Sequence, residues 1–236
     1  MAMADGMKDV HGDYAIEAHD LWRVYKTGAL EVPALRGVDL AVEPGHFIAV
    51  KGRSGSGKTT LLNCLGGLDH PTSGSVHIFG RDISTLGDRE LTHWRRKRVG
   101  FIFQSFGLLP TLSAYENVEL MLRIAGVSAR ERRERAHYCL DLVGLSKWIH
   151  HRPFEMSGGQ QQRVAIARSV ANSPQLILAD EPTGELDSTT AREILGLFRR
   201  IVEEEHVTFV MVSHDALVNE YVDHSLQLKD GQIVQE

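Results

Sequence analysis

At 236 residues, 42% hydrophobic and 24% charged, the chain has the composition of a globular protein with room for one substantial core, or at most for a domain carrying a small inserted subdomain, and a largely disordered protein is excluded. Its formal net charge of −5 leaves no basic footprint, so no nucleic-acid partner is expected. No apolar run approaches the roughly 18 residues of a membrane span and the N-terminus lacks a secretory apolar core, so a cytoplasmic location is expected.

Residues 1–13 read as a flexible tail preceding a single domain over 14–236. Alternation over "YAIEAHDLWRVY" (14–25) and "ALRGVDLAV" (34–42) predicts two strands of an antiparallel β layer, with "KTGALEVP" as the loop between them. "HFIAV" (46–50) is a short apolar strand ending at a glycine-rich loop, and "TTLLNCLGGL" continues as helix to the glycine pair 66 and 67. "GSVHIFG" and "VGFIFQ" (99–104) add strands before the pattern turns helical near 113–125 and 128–143, where Ser128 and Glu131 form a capping box. The arginine-rich stretches 94–98 and 129–137 read as solvated faces.

Beyond them come "SPQLILAD" (173–180), an apolar run suited to a doubly buried parallel strand, a helix over 188–205, and a strand over 207–214. Two short strands about Asp230-Gly231 close the chain. The result is an α/β core interrupted by a helical insertion over about 105–160. Cys64 and Cys139 are too few and too far apart for a disulfide or metal framework.

"GRSGSGKTT" (52–60) carries Gly52, Gly57, Lys58 and Thr59 in the G-x-x-x-x-G-K-S/T spacing, after a strand and before a helix. Glycines let backbone N–H groups approach phosphate oxygens, and Arg53, Ser54, Gly55, Ser56 and Thr60 complete the cradle. Lys58 reaches the terminal phosphates and Thr59 ligates Mg²⁺; Lys51 and Arg53 flank the loop as solvent-facing cations. "LILADEP" supplies two carboxylates at a strand's C-terminal end. Asp180 is placed to hold Mg²⁺, and Glu181, pointing to the other side of the chain, is the candidate general base for an attacking water. "EMSGGQQQRVAIARSV" (155–170) is a second anion-binding helix start, which one domain hydrolysing one nucleotide does not need.

The phosphate loop, "MSGGQ" and "LILADEP" in this order, with His214 in "VSHD", resemble the ATPase domain of ATP-binding-cassette (ABC) proteins, from about residue 14 onward. That resemblance implies a P-loop NTPase (RecA-like) core with an antiparallel β subdomain and an inserted α-helical subdomain. It further implies ATP and Mg²⁺, and head-to-tail pairing with a second copy in which each signature helix binds the γ-phosphate held by the other. Residue by residue, Tyr25 would stack on adenine and Gln104 would sense Mg²⁺ and the attacking water. Ser157, Gly158, Gly159 and Gln160 would meet the partner copy's ATP, Asp187 would lie across the seam, and His214 would contact the γ-phosphate. Met156 stands where leucine is commoner, a small departure. Glu185 stands where asparagine is usual and adds negative charge near the seam.

"LGGLDHPTSG" (65–74) and "FGLLPTLSAYENVEL" (106–120) resemble the branch serving lipoprotein release, macrolide-type export and mechanotransmission. In that branch the ATPase works on an integral membrane permease subunit, peripheral on the cytoplasmic face of the inner membrane. Phe106, Leu108, Leu109, Leu112 and Tyr115 are candidates either for the permease groove or for a local core. An importer ATPase shares every catalytic residue and is the alternative; a soluble non-transport ABC ATPase fits less well.

Overall fold

A computed structural model describes residues 14–28 and 30–234; the expected tail lies outside them. The chain opens with β1 (Ile16–Thr27) and β2 (Leu30–Val42), which pair antiparallel to their ends, Lys26 opposite Glu31 and Thr27 opposite Leu30. The loop expected over 26–33 is therefore mostly strand. Tyr25, Lys26, Leu30, Glu31 and Val32 are all exposed there, so both sheet faces are wet and no hydrophobic alternation marks the strands.

β3 (Phe47–Lys51) follows, then α1 (Lys58–Leu65), which ends at Gly66. β4 (Ser73–Ile78) and the two-residue β5 (Arg81–Asp82) complete a four-stranded layer in the order β2-β1-β4-β5. α2 (Asp88–Arg98) was not expected as a helix. Its inward side chains are chiefly Leu91 and Trp94, and four basic residues crowd its last turn, so the apolar stripe is too thin to read as a period.

β6 (Val99–Ile102) leads into the helical region, built of α3 (Ala114–Ile124) and α4 (Ala129–Leu142), both opened by Ser-Glu capping boxes. α5 (Gly158–Val170), β7 (Leu176–Asp180), α6 (Ser188–Glu205), β8 (Thr208–Ser213), β9 (His224–Lys229) and β10 (Gln232–Val234) complete the chain. The central sheet runs β10-β9-β3-β8-β7-β6, with β9, β3, β8, β7 and β6 parallel and β10 antiparallel at one edge.

β3, β7 and β8 are buried on both faces, which explains their unbroken apolar runs. Side chains alternate between two cores. Ile48, Val50, Leu178, Val210 and Val212 face α1, α2 and the antiparallel layer. Phe47, Ala49, Ile177, Ala179 and Phe209 face α5 and α6 and share one apolar cluster with Val118, Leu122, Leu140 and Val143 of α3, α4 and the turn after them. The insertion is thus welded to the sheet rather than folded around a core of its own.

Leu108 and Tyr115 pack against this cluster, Phe106 and Leu112 are half-buried, and Leu109 is exposed. Asn117 pins the segment before α3: its Nδ2 donates to the carbonyls of Leu109 (3.2 Å), Leu112 (3.1 Å) and Ser113 (3.0 Å), and its Oδ1 accepts from Leu109 N–H (2.8 Å). Burial pushes the Cys64 thiol up to about 12 and that of Cys139 up to about 11, so both stay protonated and unreactive.

Candidate functional site

The C-terminal ends of β3, β8, β7 and β6 lie side by side, and the loops leaving them close on one open cavity of about 690 Å³. Arg53, Ser54, Gly55, Gly57, Lys58, Thr59 and Thr60 line it from the phosphate loop, Gln104 from the end of β6, Asp180 and Glu181 from β7, and His214 from β8. Residues as far apart in sequence as Arg53 and His214 therefore meet because four parallel strands end at one edge.

Two of the loop's glycines are required by close backbone approach. A Cβ on Gly52 would lie 2.3 Å from the Leu228 carbonyl oxygen, and one on Gly57, whose φ is +103°, 2.4 Å from that of Ala34. Ser56 is buried and is not among the residues that line the cavity; its carbonyl accepts from Gly231 N–H at 3.0 Å. No side chain caps α1 at Gly57, which leaves its first-turn N–H groups to an anion. Lys58 is 8% exposed and donates to the carbonyls of Gly52 (2.8 Å) and Arg53 (3.2 Å), so its ammonium is held within the loop. Arg53, read as solvent-facing, is exposed and also lines the cavity.

Thr59 Oγ1 donates to Asp180 Oδ1 at 3.2 Å. Burial pushes the Asp180 carboxyl up and the Glu181 charge beside it pushes the same way, while the Thr59 hydroxyl and Lys58 pull it down. Strand alternation would send Glu181 to the opposite side of the chain, as the sequence reading had it. In the structure Glu181 leaves β7 at φ +45°, and this left-handed turn swings its side chain into the same cavity as Asp180. There its carboxylate lies 3.7 Å from Lys58 Nζ and 2.9 Å from His214 Nδ1, and accepts from His214 N–H at 3.3 Å. Gln104 approaches the turn after Glu181: a Cβ on Gly184 would lie 3.5 Å from its Nε2.

Tyr25 stands outside the lining residues, at the rim beside Thr60. Its hydroxyl donates to Asp69 at 2.7 Å and the Arg23 guanidinium lies 4.4 Å over its ring, an arrangement that no sequence pattern announced. Ser157, Gly158, Gly159 and Gln160 also lie outside the cavity. Ser157 and Gly158 are exposed at the start of α5, where Ser157 Oγ accepts from Gln160 N–H (3.3 Å) and Gln160 Oε1 accepts from Ser157 N–H (2.9 Å). Asp187 caps α6, accepting from the N–H groups of Thr189 and Thr190 at 3.0 Å and from the Thr190 hydroxyl at 2.6 Å; these bonds hold its carboxyl below the usual range. Gln162 and Asn117, both buried, are polar positions that sequence reasoning passed over.

A parallel sheet ending in a phosphate loop, an acidic pair and a histidine defines a P-loop nucleotide hydrolase. Residues 35–184 match the family model for ABC transporters. The chain is 51% identical over 221 residues to an uncharacterized ABC transporter ATP-binding protein of Thermotoga maritima, covering 92% of this chain and 93% of that protein. It is 48% identical over 223 residues to the macrolide export ATP-binding/permease protein MacB of Syntrophobacter fumaroxidans; the match covers 94% of this chain and 31% of MacB. Among solved structures, a dimeric post-hydrolysis state of the ATP-binding cassette MJ0796 bound to ADP and Pi superposes with a TM-score of 0.86 at 44% identity, covering 93% of this chain and 97% of that one. The chain belongs to the ABC transporter family, as its ATP-binding, ATP-hydrolysing cassette.

Proposed function

We propose that two copies of the chain pair head to tail, sandwich two ATP molecules, and drive an integral membrane permease in export, lipoprotein release or mechanotransmission. The observation that carries the pairing is that the start of α5, with Ser157 and Gly158, is exposed and lies outside the cavity that holds the phosphate loop. A second copy turned head to tail supplies it with a phosphate. The dimeric MJ0796 cassette supports pairing, and the MacB relatives, ATP-binding/permease proteins of which the match covers about a third, support a membrane partner. Among the described residues no helix is long and apolar enough to cross a membrane.

In this reading Lys58 and the N–H groups of the phosphate loop bind the β- and γ-phosphates, Tyr25 stacks on the adenine, and Glu181 accepts the proton of the attacking water. Thr59, Asp180 and Gln104 bring a hydroxyl, a carboxylate and an amide to the one cavity, a donor set suited to a hard divalent cation, whose positive charge would offset the burial that pushes the Asp180 carboxyl up. Bound Mg²⁺ would supply charge neutralisation at the phosphate oxygens. His214 orients toward the γ-phosphate while Glu181 holds its ring. Losing the γ-phosphate removes the bridge between copies and opens the pair, a γ-phosphate switch.

The test is Glu181→Gln purified from membranes with ATP. An ATP-dependent dimer by light scattering, with an integral membrane protein in the complex, is expected. A protein that stays monomeric with ATP, or one that brings only soluble partners, would overturn the proposal.

A further inference from the structure

Gln162 lies in the second turn of α5, two residues beyond the signature, and is 0% exposed. Its Nε2 donates to the Pro182 carbonyl at 2.6 Å. A carbonyl only accepts, so this bond fixes which end of the amide faces Pro182. The other end, Oε1, is buried with no partner. Buried polar atoms are rarely left unpaired, and neither packing nor helix propensity calls for glutamine here: Val164, Ala165, Ile166 and Ala167 on the same helix are buried and apolar. What the amide secures is a link between two pieces of machinery. Pro182 directly follows Glu181, in the turn closed by the Gly184 N–H on the Glu181 carbonyl at 3.0 Å, and Glu181 itself sits at φ +45°. Five residues, about 7 Å of helix axis, separate Ser157 from Gln162.

We propose that Gln162 is a positioning residue that couples the two ATP sites of the paired cassette. It transmits the docking of α5 on the partner copy's ATP to the Pro182 carbonyl, and so to the placement of Glu181 in its own site. The inference rests on the head-to-tail reading above. A rigid helix moved at its N-terminus carries Gln162 with it, and one hydrogen bond ties that displacement to the strained peptide beside the general base.

The experiment compares wild type, Gln162→Leu and Gln162→Met in steady-state ATPase activity against ATP concentration, in ATP-induced dimerisation with Glu181→Gln also present, and in Tm. The expected result is a wild-type Hill coefficient near 2 that falls to about 1 in both variants, while ATP still dimerises them and Tm stays within a few degrees of wild type. A Hill coefficient unchanged in the variants, or one of 1 in the wild type, overturns the coupling while leaving the dimer in place. A Tm collapse in both variants overturns it in favour of a packing role. Glu181→Gln alone failing to dimerise with ATP instead overturns the paired reading on which it rests.

Discussion

Glu181 is the residue at which local and tertiary demands conflict most plainly. Its left-handed φ of +45° costs on the order of 1–3 kcal/mol in a non-glycine residue. That strain is what directs two adjacent carboxylates into one cavity, Asp180 to Thr59 and Glu181 to Lys58 and His214. If Glu181 is the general base, Glu181→Gln keeps the shape of the site and loses the proton acceptor, so kcat should fall roughly 10²- to 10⁴-fold with ATP binding retained, as steady-state turnover and equilibrium nucleotide binding would measure. Asp180 gives a pH signature. Its pKa is raised in the folded chain, chiefly by burial, so the stability it contributes is present below the ordinary carboxylate range and lost as pH rises through the folded value. Thermal melts of the ligand-free protein should therefore show Asp180→Asn more stable than wild type at pH 7.5, with the gap closing as pH falls toward about 4.

At the level of elements, the capping boxes at Ser113 and Ser128 start α3 and α4 as sequence chemistry dictates, and α6 spans the expected 188–205. The failures have common physical causes. α2 hides a two-residue inward stripe beneath its arginines, and the far end of the β1–β2 hairpin, where Tyr25, Lys26, Leu30, Glu31 and Val32 lie, is exposed on both faces, so neither carries the periodic burial from which an element is read. Asn117 illustrates a role that periodicity cannot show. Buried at an α3 position where an apolar residue would satisfy the pattern, it instead makes four hydrogen bonds that fix the segment from Leu109 to Ser113. Asn117→Ala strands several of those backbone groups and should cost about 1–3 kcal/mol, lowering Tm by several degrees in a scanning calorimetry comparison.

At the scale of the whole molecule, the proposed head-to-tail pairing makes the signature's function depend on assembly. A Cβ on Gly158 would meet nothing nearer than 3.8 Å, from Leu186 and Phe106, so the monomer tolerates a side chain there, whereas one on Gly159 would meet Thr190 at 2.7 Å. Gly158→Asp is therefore the clean test of pairing. Its carboxylate should repel the partner copy's phosphate, leaving Tm and monomeric ATP binding near wild type while ATP-induced dimerisation, followed by light scattering, disappears. Sequence by itself determined the phosphate loop, the acidic pair, the signature helix start and most of the strands and helices around them, α2 excepted, because each depends on a local rule: glycine at a close approach, an apolar run for a buried strand, serine at a helix start. The meeting of Lys58, Gln104, Asp180, Glu181 and His214 was decided by the strand order β3-β8-β7-β6, and the turn of Glu181 into that cavity by its φ. So was the seating of Gln162 against Pro182, for nothing in a run of three glutamines marks the one that packing buries.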